Sequence, residues 1–406
     1  MQIFFNVQKI YQYLLICLAF LMPLTVSIAN LVIVIIVLLW LLSGDYKKTY
    51  HEIKKSKIIL SSIIFYFVHV IGMLWTDDVA WGFHILHKMW YFILLLPILH
   101  SIVRKEYIQY YLYAFLLAIL LTEVISYLVW FGYIGDFMKA ASDNPTPFMS
   151  HVSFNPFLAF AIYLVLHEIM FNKKIKGLIL FLYSTFSLVM TVNMFITGGR
   201  AGQAMFFLVI IILVFQFFRG QKIKAFFTST LLVCGIFFAA YQTSPLFKER
   251  FDLAINEVIN YEVKSVATNQ FVNSSVGARI LFAYNSIEII KNNPLLGVGT
   301  GDFPSAYKAT SLKNSPSAPY ATNPHNMYLL ILVQLGLFGL VSMLSIIFYQ
   351  IKFSFSQTEM FSRNVGFALP CLFLLIMLSD SYLLGHFTGL LFIFFSSFLY
   401  KDFEIQ

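Results

Sequence analysis

Charged side chains are scarce in this sequence. They make up 11% of its 406 residues, against 59% hydrophobic and 18% aromatic. A water-soluble chain of this length would expose far more charge, so the composition is that of an all-α polytopic membrane protein. The polar/apolar alternation of an outer-membrane β-barrel is missing too, because the apolar residues come in long unbroken runs. Cysteine is nearly absent. Cys17, Cys234 and Cys371 all lie inside apolar runs, which argues against a disulfide framework or a thiolate metal centre. No internal repeat is evident, which argues against a transporter built from inverted repeats.

What the chain does contain is twelve apolar segments, at about 10–28, 29–43, 58–75, 85–102, 107–131, 153–171, 176–195, 201–218, 224–241, 325–350, 364–380 and 383–400. The first two read as an uncleaved hairpin of short spans, one of them tilted or re-entrant. They divide the chain into helices 1–9 (1–241), a large hydrophilic loop (242–324) and helices 10–12 (325–406). Lys47, Lys48, Lys54, Lys55 and Lys57 place the loop after the second span inside. Alternation then brings Arg104, Lys105, Lys173, Lys174, Lys176, Arg219, Lys222, Lys224, Lys352, Arg363, Lys401 and Lys9 to the same side. Seventeen of the 27 basic residues are thus inside, with both termini, and loops 76–84, 132–152, 196–200 and 242–324 are outside. The net charge of +8 is therefore a topology signal and not a nucleic-acid surface. Positive charge outside needs a separate reason. Arg200, Arg250 and Arg279 lie there, and a planar fork of donors suits anion recognition.

In the large loop an amphipathic helix is expected over Ser275–Lys291, with Ile280, Leu281, Tyr284, Ile287 and Ile290 on one side and Asn292-Asn-Pro294 as its stop. A glycine-rich turn, Gly297-Val-Gly299-Thr-Gly301, follows, and then a Ser/Pro/Lys/Ala stretch, 304–322, that reads as a mobile loop. The glycine turn is not a dinucleotide fingerprint, since it lacks the preceding strand and the spacing.

Several residues at the outer ends of spans could carry chemistry. His325 is expected at the first turn of the tenth span, with Pro324 starting the helix. Leu329, Leu332, Gly336 and Gly339 continue its stripe, and the glycines would let another helix approach. The bland alternative is an interfacial histidine. Arg200 sits in the tight turn Thr197-Gly-Gly-Arg200-Ala-Gly202, where the glycines are expected to bare N–H groups toward an anion; snorkelling is the alternative. Gly277-Ala-Arg279-Ile opens the loop helix, where a solvated helix face is the alternative. Trp81, His84, His87, Lys88 and Trp90 surround the outer end of the fourth span and read first as an aromatic belt with a snorkelling lysine, second as a phosphate site at Lys88. The pair Asp77-Asp78 reads first as an interfacial turn and second as a metal site. Asp380 suits either orienting a histidine or capping a turn. Two guanidiniums and an imidazole at helix ends fit a substrate with a diphosphate leaving group and a hydroxyl nucleophile.

With these motifs the sequence resembles the O-antigen ligases, within the larger polymerase and ligase superfamily of bacterial envelope glycans. The resemblance covers nearly the whole chain. It rests on Trp75-Thr-Asp77, on Thr197-Gly-Gly-Arg200-Ala-Gly202, and on Arg279 followed by Asn293-Pro-Leu-Leu-Gly297-Val-Gly299. It rests most on His325-Asn-Met-Tyr-Leu329 with Gly336 and Gly339. It implies about twelve spans in a glycosyltransferase C-like arrangement with one large periplasmic loop, in the bacterial inner membrane. The implied reaction is inverting transfer of a glycan from undecaprenyl diphosphate to lipid A–core, with no metal, cofactor or nucleic acid. Carried over, His325 is the general base and Arg200 and Arg279 are the diphosphate ligands. Lys88 and Asp380 match by location only, and Asn326 completes the motif as a supporting position. A polymerase or a protein O-oligosaccharyltransferase keeps the same chemistry with another acceptor. A lipid-linked glycan transporter predicts charges at the bilayer midplane instead. The charge pattern makes the first prediction. A reporter fused after about residue 260 should be external and one after residue 175 cytoplasmic; the opposite pair would overturn the placement of every candidate residue.

Overall fold

In the computed structural model, residues 2–259, 275–314, 316 and 320–403 are described. Each of the twelve apolar segments forms a helix, and no strand occurs among the described residues. The first is α1 (Gln2–Leu21), paired with α2 (Val26–Ser43). A short basic helix, α3 (Tyr46–Lys55), leads into α4 (Lys57–Gly72). The next span starts earlier than expected, at Val79, because the turn Thr76–Asp78 is only three residues long. It runs as α5 (Val79–Trp90), one π-helical turn (Tyr91–Leu95) and α6 (Leu96–Ile102). Then come α7 (Ile108–Trp130), α8 (His151–Phe171), α9 (Gly177–Ile196), α10 (Arg200–Phe217) and α11 (Lys222–Thr243).

Among the described residues nine helical segments are long and apolar enough to cross a membrane, and three apolar helices are shorter. Their burial separates core from rim. Along α8 every residue from Phe154 to Val165 is buried, so this helix is the centre of the bundle. By contrast α9 and α11 expose Leu178, Ile179, Phe181, Phe226, Phe227 and Leu231. An apolar face of that kind is stable against lipid and not against water. The basic residues of alternate loops do gather at one end. Lys48 and Arg104 are felt by Lys401, and Lys105 lies 3.8 Å from Glu359.

The hydrophilic region holds three helices: α12 (Pro245–Ile259), α13 (Ser275–Asn292) and α14 (Phe303–Asn314). The last of these corrects the expected mobile loop at 304–322, of which residues 315 and 317–319 lie outside the described residues. Phe303, Tyr307 and Ser311, spaced four apart, are all buried, and this period outweighs the loop-like composition. The face of α13 also differs from expectation. Leu281, Phe282, Asn285, Ser286 and Ile289 are buried, whereas Tyr284 and Ile287 are exposed. Apolar counting missed it because Asn285 points inward, 3.4 Å from the Tyr307 hydroxyl.

The chain closes with α15 (Met327–Ser356), α16 (Met360–Ile376) and α17 (His386–Leu399). The expected glycine seam on α15 does something else. At Gly336 the backbone leaves the helix (φ 60°, ψ −154°), and the loop after α13, not another helix, fills the gap. Leu337 and Phe338 donate to the carbonyls of Pro294 and Leu295 at 2.9 and 3.3 Å. Val298 and Gly299 donate to the carbonyls of Val333 and Gln334 at 2.8 and 2.9 Å. Thr300 and Asp302 extend the clamp. The Thr300 hydroxyl donates to His69 O on α4, and Asp302 accepts the N–H groups of Asp77 and Asp78. Asp78 in turn caps α5 by accepting the N–H of Trp81. The acidic pair is thus a turn built into the clamp.

A Cβ at Gly336 would overlap the Leu295 carbonyl, in a region of φ/ψ that glycine alone occupies readily. Gly336→Ala should therefore cost roughly 1–3 kcal/mol from backbone strain alone. Gly235→Ala, in α11 with open space around it, should be neutral or slightly stabilising. Melting temperatures of the detergent-purified proteins test this; equal values for the two variants would mean the break tolerates a side chain.

Candidate active site

His325 is not on the helix. Asn326 is the N-cap of α15, its side chain accepting the N–H of Leu329 at 3.1 Å and donating to Leu378 O at 3.0 Å. His325 stands one residue before the cap, in the left-handed region at φ 50°, and Pro324 lies outside the helix. A non-glycine residue there is strained unless its neighbours hold it. They do. The His325 N–H donates to Asn323 Oδ1 at 2.9 Å, and Asn323 Oδ1 also accepts the Ser381 hydroxyl at 2.9 Å. The ring lies 6.0 Å from that of Phe282, on α13, at 30°.

The imidazole Nδ1 is 3.2 Å from Asp380 Oδ1. An ionised carboxylate only accepts, so Nδ1 carries the proton and Nε2 presents a lone pair. The His325 side chain is 45% exposed, and Nε2 has no protein partner among the described residues. Asp380 is the orienting group that the sequence left open. Burial raises its carboxyl, but the hydrogen bond from His325, the Ser381 N–H at 2.7 Å and Arg279 outweigh burial and hold it below the usual range. Its contribution to stability is therefore present at neutral pH and lost as pH falls through that lowered value.

Arg279 connects this pair to the second element of the site. Besides Asp380 it acts on the neighbouring Tyr382, whose phenol burial pushes up to about 12, and on Arg200. Arg200 is the first residue of α10. The glycines around it are not an open anion nest: a Cβ at Gly199 or Gly202 would run into Asn155 of α8, so these glycines let two helices touch. Thr197 and Asn155 lock the same turn, the threonine hydroxyl donating to Asn155 Oδ1 at 3.0 Å. Arg200 is half-buried, and its Nη1 is enclosed with no hydrogen-bond partner among the described residues.

A third guanidinium joins them. Arg250, on α12, reaches to 3.9 Å from where a Cβ on Gly198 would sit, and Arg200 and His151 both feel its charge. Among the described residues no carboxylate lies within ion-pairing distance of Arg200 or Arg250. Glu257, whose charge acts on Arg200, accepts the Val276 N–H and ties α12 to α13. All three arginines expected on the outer side therefore converge, although the sequence singled out only two of them as ligands. The surrounding support was hidden as well. Glu123 on α7 is buried and accepts from Asn193, which lies one helical turn before Thr197.

Lys88 is more than a belt lysine. With Trp81, Asn323, Asp380, Ser381 and Tyr382 it lines a cavity of about 210 Å³ beside the His325–Asp380 pair. His87 and Lys88 both line a neighbouring cavity, and the His84 ring packs at a tilt on Trp81, 4.9 Å between centres. Among the described residues no cluster of three metal-ligating side chains occurs.

These features define a multi-pass helical membrane protein whose cationic cleft and oriented imidazole share one end of the bundle. Residues 185–344 match the family model described as O-antigen ligase. The matched stretch contains Arg200, Arg250, Arg279 and His325, and it includes the break in α15. It supports glycan ligase or polymerase chemistry. No curated protein matches the chain in sequence.

Arg200 and Arg250, with no carboxylate in ion-pairing distance among the described residues, repel one another and should welcome a polyanion. Pyrophosphate should raise the melting temperature of the purified protein, by the equivalent of about 2.7 kcal/mol at a hundredfold excess over Kd. Arg250→Gln should melt no lower than wild type without ligand and lose most of that rise. An undiminished rise would take Arg250 out of the cleft.

Proposed function

We propose that this protein is an O-antigen ligase. It transfers a glycan from undecaprenyl diphosphate to lipid A–core at the periplasmic face of the bacterial inner membrane. The observation that carries the proposal is the His325–Asp380 pair with Nε2 open, linked through Arg279 to the arginine cluster. In this reading His325 Nε2 takes the proton of the acceptor hydroxyl as its oxygen attacks the anomeric carbon. The bond from that carbon to the diphosphate oxygen breaks in line, which inverts the configuration. Asp380 stabilises the imidazolium that forms. Arg200 and Arg279, joined by Arg250, hold the negative charge that develops on the departing undecaprenyl diphosphate. Lys88 faces the same cavity as Asp380, where it is suited to a second anionic group of the substrates.

The proposal includes the twelve-span topology. Helices 1–9 (1–241) supply Lys88 and Arg200, the periplasmic loop (242–324) supplies Arg250 and Arg279, and the last three helices (325–406) supply His325 and Asp380. Asn326 fixes the start of α15 and so the position of the base.

Single-turnover transfer from lipid-linked glycan to lipid A–core tests it. His325→Gln should still bind donor but transfer about 10²–10⁴-fold more slowly. Arg200→Lys and Arg279→Lys should each lose on the order of 10²-fold, since a point charge does not reproduce a bidentate fork. EDTA should leave the wild-type rate unchanged, because arginines supply the positive charge. Full activity in His325→Gln would remove the general base. Loss in EDTA reversed by a divalent cation would replace the mechanism with a metal-dependent one.

A further inference from the structure

At the lysine-rich end, opposite the His325 site, a cavity of about 460 Å³ opens between the ends of α3, α4 and α15 and the residues after α17. Its walls are apolar and aromatic: Ile58, Tyr349, Phe353 and Tyr400. Its rim is charged, with Lys55, Lys57 and Lys352 exposed beside the hydroxyls of Ser56 and Ser356. Two acids, Glu52 and Asp402, share the lining, and Glu52 lies 3.8 Å from His100 Nε2.

The floor is rigid before any ligand arrives. The ammonium of Lys401, itself buried, donates to the carbonyls of His100 and Val103 at 2.8 and 3.1 Å and caps the end of α6. Burial, with Lys48 and Arg104 nearby, holds that ammonium down at about 8 despite Glu52. The positive potential at this end is thus only partly compensated. Lys57 Nζ lies 5.8 Å from the centre of the Tyr349 ring, so the α4 and α15 walls already touch across the opening.

We infer that this cavity binds the headgroup of an anionic phospholipid, whose phosphate meets Lys55, Lys57 and Lys352. The argument is charge and shape together. Lysines at the ends of apolar helices attract anionic headgroups, and an aromatic wall beneath them accepts the glycerol and upper acyl chain. A soluble phosphate would use the rim and leave the apolar walls empty. The bound lipid braces α4 against α15, the two helices whose other ends lead to the Thr76–Asp78 turn and the Asn326 cap beside His325. This inference does not rest on the proposed transfer reaction, and its test needs no activity.

The full-length protein, purified in neutral detergent and stripped of lipid, is titrated with phosphatidylglycerol, phosphatidylcholine or inorganic phosphate, reading melting temperature and retained lipid by native mass spectrometry. Phosphatidylglycerol should raise the melting temperature and remain bound at one copy, whereas the other two should not. At roughly fivefold per lysine, the combined variant Lys55→Gln, Lys57→Gln, Lys352→Gln should weaken binding on the order of 100-fold. Lys173→Gln with Lys174→Gln, at the same end but off the cavity lining, should bind like wild type. Should the triple variant not fold, Lys352→Gln alone should weaken binding about fivefold. Equal binding of phosphatidylcholine, equal loss in the control pair, or the full shift from inorganic phosphate would each overturn the inference.

Discussion

The break in α15 at Gly336 is the constraint on which the rest depends. Leaving the helix there removes the partners of two N–H groups and two carbonyls inside an apolar helix. Backbone groups at that depth must be paired. The loop 294–299 supplies all four partners, from Pro294, Leu295, Val298 and Gly299. That pairing fixes where α13 ends and where α14 begins. It therefore sets Arg279 and Phe282, on α13, against His325, which precedes α15. The loop's far end, through Thr300 and Asp302, holds α4 and the start of α5 in the same frame. Lys88 lies on α5, so a single discontinuity registers three parts of the site.

The electrostatics of that end follow from this registration. Three arginines come from three helices, and each would be tolerable alone at an interface. Together they make a field that Glu257 and Asp380 offset only in part. Asp380 serves two purposes, orienting the imidazole of His325 and responding to Arg279. The left-handed backbone at His325 is the local cost of aiming the ring, and Asn323 and Asn326 on either side offset it with hydrogen bonds. Cations at one side and an oriented imidazole at the other suit the proposed expulsion of a diphosphate.

Much of this was legible in the chain. The apolar runs appear as helices, although the first lies at 2–21 and not 10–28 and the span expected from 85 starts at 79, and lysines and acids of alternate loops meet at one end. Arg200, Arg279 and His325 were picked out because cationic groups at the heads of apolar helices need a reason. Lys88 was read first as a belt residue and Asp380 was left between two roles, because nothing in their local sequence says what faces them. The helix at 303–314 was hidden by its small and polar residues, although a four-residue spacing of Phe303, Tyr307 and Ser311 was there to be seen.

By itself, the sequence determined that the chain is a bundle of apolar helices, which loops group together, and which residue types stand at helix ends. Those properties depend on run length and on charge counted along the chain, and neither needs a distant partner. Only the tertiary structure decided that Gly336 ends a helix, that the glycines beside Arg200 serve packing, that Asn285 turns inward, that Arg250 joins the other arginines and that Asp380 meets His325. Each of these depends on a hydrogen bond, a close approach or a Coulombic contact with residues tens to hundreds of positions away. Local periodicity carries no information about such contacts; they exist once the helices have packed and every buried polar group has had to find a partner.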